Sequence, residues 1–316
     1  MKTTISYVGI DVSKTTLHVA LAEKFIGEFD NKPTGHQKLI EKLKKLGPCL
    51  IILEASGGYE KLISDAMQDA DLAVSVCQPS CIRHFAKSIK VLAKTDKIDA
   101  QVIARFGEAI KPSVTQKTPE NVRKMRALSD RRRQVVEDRV REVNRLEACA
   151  DPYIRKELEN SIDQLKRKEK ELEEQINLLI KSDACFRRKA EQLTAQKGVG
   201  KQTVTVLLAQ LPELGTLSRQ QVAALAGLAP YARESGKWNG KRTIYGGRSE
   251  IRKAMYMAAR TAARWCPVIS QFYKSLRDNG KHYKAAIIAC ARKMIVRLNT
   301  TLKEFDQKPV IGPATT

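Results

Sequence analysis

Ala93-Lys94-Thr95-Asp96-Lys97-Ile98-Asp99-Ala100 sets two carboxylates three residues apart at the start of an apolar-periodic run continued by Val102, Ile103 and Phe106. Helical spacing puts Asp96 and Asp99 on one face about one turn apart, where a divalent cation fits between them. The same octet is good helix-start chemistry, because an N-cap hydroxyl at Thr95 and an early acid at Asp96 offset the unpaired amides and the positive helix end. Taken alone the octet favours capping; acids elsewhere in the chain shift the balance.

Upstream, residues 5–12 (ISYVGIDV) and 16–22 (TLHVALA) are β-rich runs around a short polar turn, and 25–30 (FIGEFD) makes a third strand, which predicts an antiparallel meander. His36 to Leu46 has helical spacing and stops at Gly47-Pro48. Leu50 to Leu53 is a wholly apolar strand ending at Glu54, followed by Ser56-Gly57-Gly58, a helix through Ala70 and a buried strand from Ala73 to Val76. The order β-β-β-α-β-α-β-α predicts a mixed sheet with helices on its faces. Asp11 lies in the first strand after Val8-Gly9-Ile10, and a charge in or at the end of an apolar strand costs several kcal/mol unless paired or metal-bound. Asp11, Glu54, Asp96 and Asp99 are therefore expected to converge on one sheet edge, where crowded like charges require a cation. Two Mg²⁺ (or Mn²⁺) ions in such a cluster would clamp the attacking and leaving oxygens of a phosphodiester.

The phrases YVGIDVSK, ILEASGGY and IRHFAKSIKVLAKTDKIDA resemble the N-terminal domain of DEDD insertion-sequence transposases related to the Piv invertase. The resemblance implies an RNase H or RuvC-like core in which Asp11, Glu54, Asp96 and Asp99 are the metal-binding acids.

Charge points the same way. The chain carries a formal net charge of +22, and residues 183–316 alone hold 24 basic against 8 acidic residues. A polyanion is the expected partner, nucleic acid before a membrane surface, since the cations are not gathered on one amphipathic helix. No apolar run approaches a membrane span and the N-terminus reads as no signal peptide, so a cytoplasmic protein on bacterial nucleoid DNA is expected. Seven scattered cysteines without a CxxC argue for reduced thiols and against zinc.

Between residues 118 and 182, Leu158, Ile162, Leu165, Leu172, Ile176 and Leu179 alternate three and four apart, with Glu169 the one polar residue in the seam. That is a coiled-coil pattern, either between chains or folded back within one chain against an earlier helix from about Pro119 to Ala150. The earlier helix carries Val136, Val140 and Val143 on one stripe and the cluster Arg131-Arg132-Arg133. The basic segment then opens with Gly198-Val199-Gly200-Lys201 between two helices, a helix-hairpin-helix-like element whose glycines let amides approach a phosphate. A polar loop follows with Arg233, Ser235-Gly236, Lys241-Arg242 and Gly246-Gly247-Arg248, then a helix containing Arg252. By itself a serine before glycine is a turn residue; as a nucleophile it needs neighbouring cations, for which Arg233, Lys241, Arg242, Arg248 and Arg252 are candidates. Tyr273 to Phe305 is read as one helix packing through Ala285, Ile288, Ala289, Met294, Ile295 and Leu298, and no histidine receives a role.

AGLAPYARESGKWNGKRTIYGGRSEIRKAMYMAA resembles the C-terminal domain of the same transposases. That likeness implies that Ser235 is a nucleophile forming a phosphoserine link to DNA, that a noncoding bridge RNA pairs with donor and target DNA, and that the protein self-associates as a dimer or tetramer. The expected architecture is α/β plus α: a RuvC-like metal domain (1–110), helical coiled-coil linker (111–185) and basic helical domain (186–316). The expected activity is that of a DNA transposase or recombinase. Two rivals remain: a junction-resolving metal nuclease without serine chemistry, and a noncatalytic nucleic-acid-binding protein.

Overall fold

A computed structural model describes residues 5–307 apart from 92, 94, 233, 236, 237 and 241, with the backbone alone for 234, 235, 238, 239, 306 and 307. The chain divides into two compact units, Met1–Lys117 and Thr118–Thr316.

In the first unit the strands β1 (Ser6–Val12), β2 (Thr16–Leu21), β3 (Lys24–Asp30), β4 (Cys49–Glu54) and β5 (Ala73–Cys77) form one sheet in the order β3-β2-β1-β4-β5. The meander β1-β2-β3 is antiparallel, whereas β1, β4 and β5 run parallel. This mixed sheet is compatible with the expected RNase H-like domain. Strand β4 reads as an uninterrupted apolar run because both its faces are covered. Ile51 and Leu53 join Val8, Ile10, Leu39, Leu43, Ile63 and Met67 on the side of α1 (Pro33–Lys44) and α2 (Glu60–Asp69). Leu50 and Ile52 join Ile82, Ile103 and Phe106 on the side of α3 (Pro79–Ser88) and α4 (Asp96–Ile110).

Helix α4 lies unusually close to β1. A Cβ added at Gly9 would stand 2.2 Å from the Ala104 amide nitrogen and 2.3 Å from the Ala100 carbonyl oxygen. Gly107, a turn further along, would bring a Cβ to 2.3 Å from Ile52 Cδ1. The helix therefore rests on a strand without a side chain, through alanines and a glycine of its own.

The second unit is helical. Its long helices α5 (Glu120–Ala148) and α6 (Pro152–Ser182) fold back on one another, so the seam of α6 meets α5 of the same chain. Glu169, polar in that seam, is matched from the other side: Arg132 reaches Glu169 at 2.7 Å and Glu173 at 2.6 Å, and Arg139 reaches Glu169 at 3.1 Å. The α5 stripe differs from expectation, since Val135 is buried and Val140 is 47% exposed. Arg132 and Arg139 take the inward positions because carboxylates await them there.

Helices α7 (Ala184–Thr194), α8 (Lys201–Gln210), α9 (Arg219–Leu225), α10 (Ser249–Trp265), α11 (Pro267–Asp278) and α12 (Tyr283–Gln307) share the remaining core. The expected continuous helix from Tyr273 is thus two helices. Asn279 ends α11, and Gly280, at φ +75°, turns the chain as its amide donates to the Arg277 carbonyl. The restart also shifts the packing face to Ala286, Ile287, Cys290, Ala291, Met294, Ile295 and Leu298, leaving Ala285 exposed.

Since no relaxation of a flexible side chain relieves a clash with backbone, Gly9→Ala is expected to cost about 1–3 kcal/mol or more. Thermal denaturation of the variant checks this, and a midpoint equal to that of the parent would contradict the close approach.

Candidate active site

Asp11 sits next to last in β1, one step beyond buried Ile10, in register with His18 of β2. Glu54 ends the neighbouring β4, so parallel pairing of β1 with β4 delivers both carboxylates to the same sheet edge. The loop after Glu54 is held by Glu60, a buried carboxylate that accepts hydrogen bonds from the amides of Ser56 (3.0 Å) and Gly58 (2.8 Å). Thr95 caps α4, its hydroxyl accepting from the Ile98 amide at 3.3 Å, so the capping role read from the octet is realised. Because α4 starts here and is pressed onto Gly9, Asp96 and Asp99 are carried to the edge where Asp11 and Glu54 end.

All four acids line one cavity of about 490 Å³, together with Arg83 and Lys87 of α3. Burial pushes the Asp11 carboxyl up to about 6; Asp99, Asp96 and Glu54 add to the rise, and His18 opposes it. The side chains do not form a closed ligand set as they stand: among the described residues no three Asp, Glu, His or Cys side chains are grouped tightly enough to hold a metal ion.

Three residues here drew no role from the sequence. His18, with 10% of its side chain exposed, has Nδ1 at 3.9 Å from Asp96 Oδ2 and Nε2 at 3.4 Å from Glu28 Oε2, and Nδ1 has no hydrogen-bond partner. Arg83 and Lys87, one turn apart on α3, put positive charge on the wall of an acidic cavity. The signals were the β1–β2 register for His18 and the i, i+4 spacing for the cations.

Ser235 lies in the second unit, in a β-hairpin arm and not a loop without structure. Strands β6 (Pro230–Tyr231) and β9 (Thr243–Ile244) pair antiparallel, and beyond them β7 (Glu234–Ser235) pairs with β8 (Trp238–Asn239), Ser235 opposite Trp238. The Ser235 side chain, Arg233, Gly236 and Lys241 lie outside the described residues. The base of the arm is a backbone clasp: a Cβ on Gly247 (φ +68°) would meet the Gly227 nitrogen at 2.2 Å and its Cα at 2.4 Å.

Arg248 and Arg252, expected as cations for the serine, brace this base. Arg248 donates to both Glu213 carboxylate oxygens (2.9 and 2.8 Å) and to the Gln210 carbonyl at 2.7 Å. Burial alone would raise the Glu213 carboxyl, but these bonds outweigh it and hold the group below its ordinary value. Arg252 donates to the Gly246 carbonyl at 2.7 Å. Arg242 is exposed on the arm. In the α7–α8 turn, Gly198 (φ +96°) would place a Cβ 2.6 Å from the Ala262 Cβ, so its role in the fold is to seat the turn on α10. Gly200 caps α8 without a side-chain bond and faces open space, with exposed Lys201 next to it, which leaves the first amides of α8 accessible to an anion.

A mixed sheet with four acids at one edge, joined in sequence to a basic helical unit, is compatible with an enzyme of the DEDD type acting on DNA. Residues 8–154 match the DEDD transposase domain of IS110 elements, and residues 190–274 match the transposase IS116/IS110/IS902 family. The chain is 30% identical to the pilin gene-inverting proteins of Moraxella bovis and Moraxella lacunata over 96% of its length and 98% of theirs. It is 25% identical to the transposase for insertion sequence element IS1328 of Yersinia enterocolitica, covering 81% of this chain and 83% of that one. The chain belongs to the IS110 family of DEDD transposases, and its function is that of an insertion-sequence transposase or recombinase. Among the described residues no helix is long and apolar enough to cross a membrane.

The clasp yields a prediction: Gly247→Ala combines an unfavourable left-handed φ with a backbone clash, so it is expected to lower the thermal midpoint and abolish recombination. Gly246→Ala, at φ +66° with nothing within 4 Å, should cost only the conformational part. Paired melting curves and recombination assays check the difference, and equal effects would refute the clasp.

Proposed function

We propose that this transposase breaks and rejoins DNA with Ser235 as nucleophile and a divalent cation, Mg²⁺ or Mn²⁺, held by Asp11, Glu54, Asp96 and Asp99. The carrying observation is the convergence of those four carboxylates on one cavity around a half-buried Asp11. Oxygen-only donors of this kind suit hard divalent ions. Asp11 is raised by burial first and by the neighbouring carboxylates second, a carboxyl that a cation would stabilise in its charged form, and Asp96, 66% exposed, has room to turn inward. When bound, the ion would neutralise charge at the phosphate oxygens.

The chain's own groups do the rest. Arg83 and Lys87 hold nonbridging phosphate oxygens. The Ser235 hydroxyl attacks phosphorus, a phosphoserine bond forms, the bond from phosphorus to the leaving sugar oxygen breaks, and that oxygen takes up a proton. Attack by a DNA hydroxyl on the phosphoserine reverses the step and rejoins a strand. Gly198, Gly200, Lys201, Arg242, Arg233 and Lys241 position the DNA backbone, whereas Arg248 and Arg252 act through the hairpin base. A noncoding bridge RNA selects donor and target, and the acids and serine that meet at one phosphate come from different subunits of a self-associated enzyme. The identity to pilin gene-inverting proteins over nearly the whole chain supports inversion as well as transposition within this chemistry.

Ser235→Ala and Asp11→Asn should each abolish strand exchange, and denaturing gels should show a protein–DNA adduct with the parent but none with Ser235→Ala. Cutting retained by Ser235→Ala without an adduct would leave the metal-only nuclease.

A second prediction follows from Asp11. A carboxyl raised in the folded state stabilises the cation-free protein fully below its unfolded value, near 4, and that contribution is lost as pH rises through about 6. Mg²⁺ should therefore raise the melting temperature clearly at pH 7.5 and hardly at pH 5, where the proton competes for the same oxygens. A pH-independent Mg²⁺ effect, or none, would remove the acids from metal binding.

A further inference from the structure

Three residues in register make a row across the sheet of the first unit: Asp11 of β1 stands opposite His18 of β2, and His18 opposite Glu28 of β3. Residues paired in this way share a face. Leu17 and Val19, the chain neighbours of His18, belong to the core on the side of α1 and α2, so alternation puts the row on the side of α4. The start of α4 is tied down over it. Lys97 Nζ lies 5.2 Å from the centre of the Phe25 ring, the Gln101 side-chain amide donates to the Glu23 carbonyl at 2.6 Å, and Phe25 packs beside the imidazole with ring centroids 6.2 Å apart. The His18 side chain is only 10% exposed, yet its Nδ1 has no hydrogen-bond partner. Native folds leave few buried polar atoms open without a use for them.

Asp96 is what faces this atom. Its Oδ2 lies 3.9 Å from Nδ1, about 1 Å beyond hydrogen-bond length. We propose that His18 is a positioning residue for the cation site, its Nδ1–H donating to the Asp96 carboxylate when that side chain turns into the cavity and so selecting the orientation in which Asp96 joins the other three acids. The proton sits on Nδ1 because a carboxylate oxygen there can only accept. Glu28 Oε2, at 3.4 Å from Nε2, is a looser contact than a hydrogen bond and leaves the ring proton to the other edge. Asp96 is the acid with most need of such a partner. Asp11 and Glu54 are held by strands, whereas Asp96 opens α4 with 66% of its side chain exposed. Carboxylates that bind a metal are oriented by hydrogen bonds from a second layer, and losing one such bond typically costs about 10–100-fold in metal affinity. The inference rests on the four-acid cation site proposed above and adds to it a residue that binds no cation itself.

The test reads Mg²⁺ affinity from the cation-dependent melting shift of the full chain at pH 7.5 without DNA, so that it is independent of catalysis. His18→Asn places an amide N–H where Nδ1 stood, and His18→Gln carries its amide to the position of Nε2. His18→Ala and His18→Gln should weaken Mg²⁺ about tenfold or more, and His18→Asn less than about threefold. Each shift is taken from the variant's own cation-free midpoint, which separates affinity from fold stability. Should His18→Ala fail to fold, the Asn and Gln variants carry the comparison alone. Strand exchange by His18→Gln should recover when Mg²⁺ is raised in proportion to the lost affinity. Equal losses in His18→Asn and His18→Gln would make the ring a packing element and overturn the inference, as would parental affinity in both, and in either case the cation site stands if Asp11→Asn loses the Mg²⁺ shift that the parent shows. A parent that does not respond to Mg²⁺, or an Asp11→Asn variant that responds as the parent does, would remove the four-acid site and the role of His18 with it.

Discussion

The acidic site depends on how near a helix can come to a strand. At Gly9 the backbone of α4 occupies the space where any other residue would carry its Cβ. That contact sets the height of α4 over the sheet, and the height decides whether Asp96 and Asp99 join Asp11 and Glu54. The arrangement works against itself electrostatically. Packing stabilises the layer, yet it buries Asp11 and brings three more carboxylates to the same cavity, and both raise Asp11 toward neutrality, burial more than the neighbouring charges. A proton or a cation resolves it. The proposed function uses the second option, and the packing makes one of the two necessary.

The second unit repeats the device with different elements. Gly247 on Gly227 fixes the foot of the arm that carries Ser235, and Gly198 on Ala262 fixes the α7–α8 turn against α10. In each case the space of a missing Cβ is taken up by a neighbouring residue, which ties the foot of the arm and the turn to the helical core. Arg248 and Arg252 complete the foot by filling acceptors that the turn would otherwise leave open, namely the Gln210 and Gly246 carbonyls and the Glu213 carboxylate. A hairpin of two short ladders would be marginal alone, and here its base is clasped to the helical core.

Much of this was legible in the chain itself, and the losses have physical causes. Strand periodicity, the Gly-Pro stop after α1 and the acids at strand ends are local features, and local features survive in a one-dimensional reading. The Gly9 contact is not local, since its partners are about ninety residues away and a glycine in a strand announces only that something comes close. His18 escaped because its neighbour is set by register across β1 and β2. The seam of α6 was read correctly as a seam, but which helix faces it is a tertiary question, answered by Arg132 and Arg139 opposite Glu169. The break at Asn279-Gly280 was readable; the apolar periodicity on either side masked it.

Charge shows the same limit. A surplus of sixteen cations in residues 183–316 says that a polyanion is near, but not which cations meet it. Glu213 removes Arg248 from the pool, the Gly246 carbonyl engages Arg252, and Glu250 engages Lys253. What remains on the outer face of α10 is Arg260 and Arg264, which no carboxylate pairs with among the described residues. Paired cations hold the protein's own shape, and unpaired ones can exchange their water for phosphate without first breaking an internal bond. Cations available to a polyanion are therefore found by subtraction, among those that the fold has left unengaged, and not by the density of basic residues along the chain.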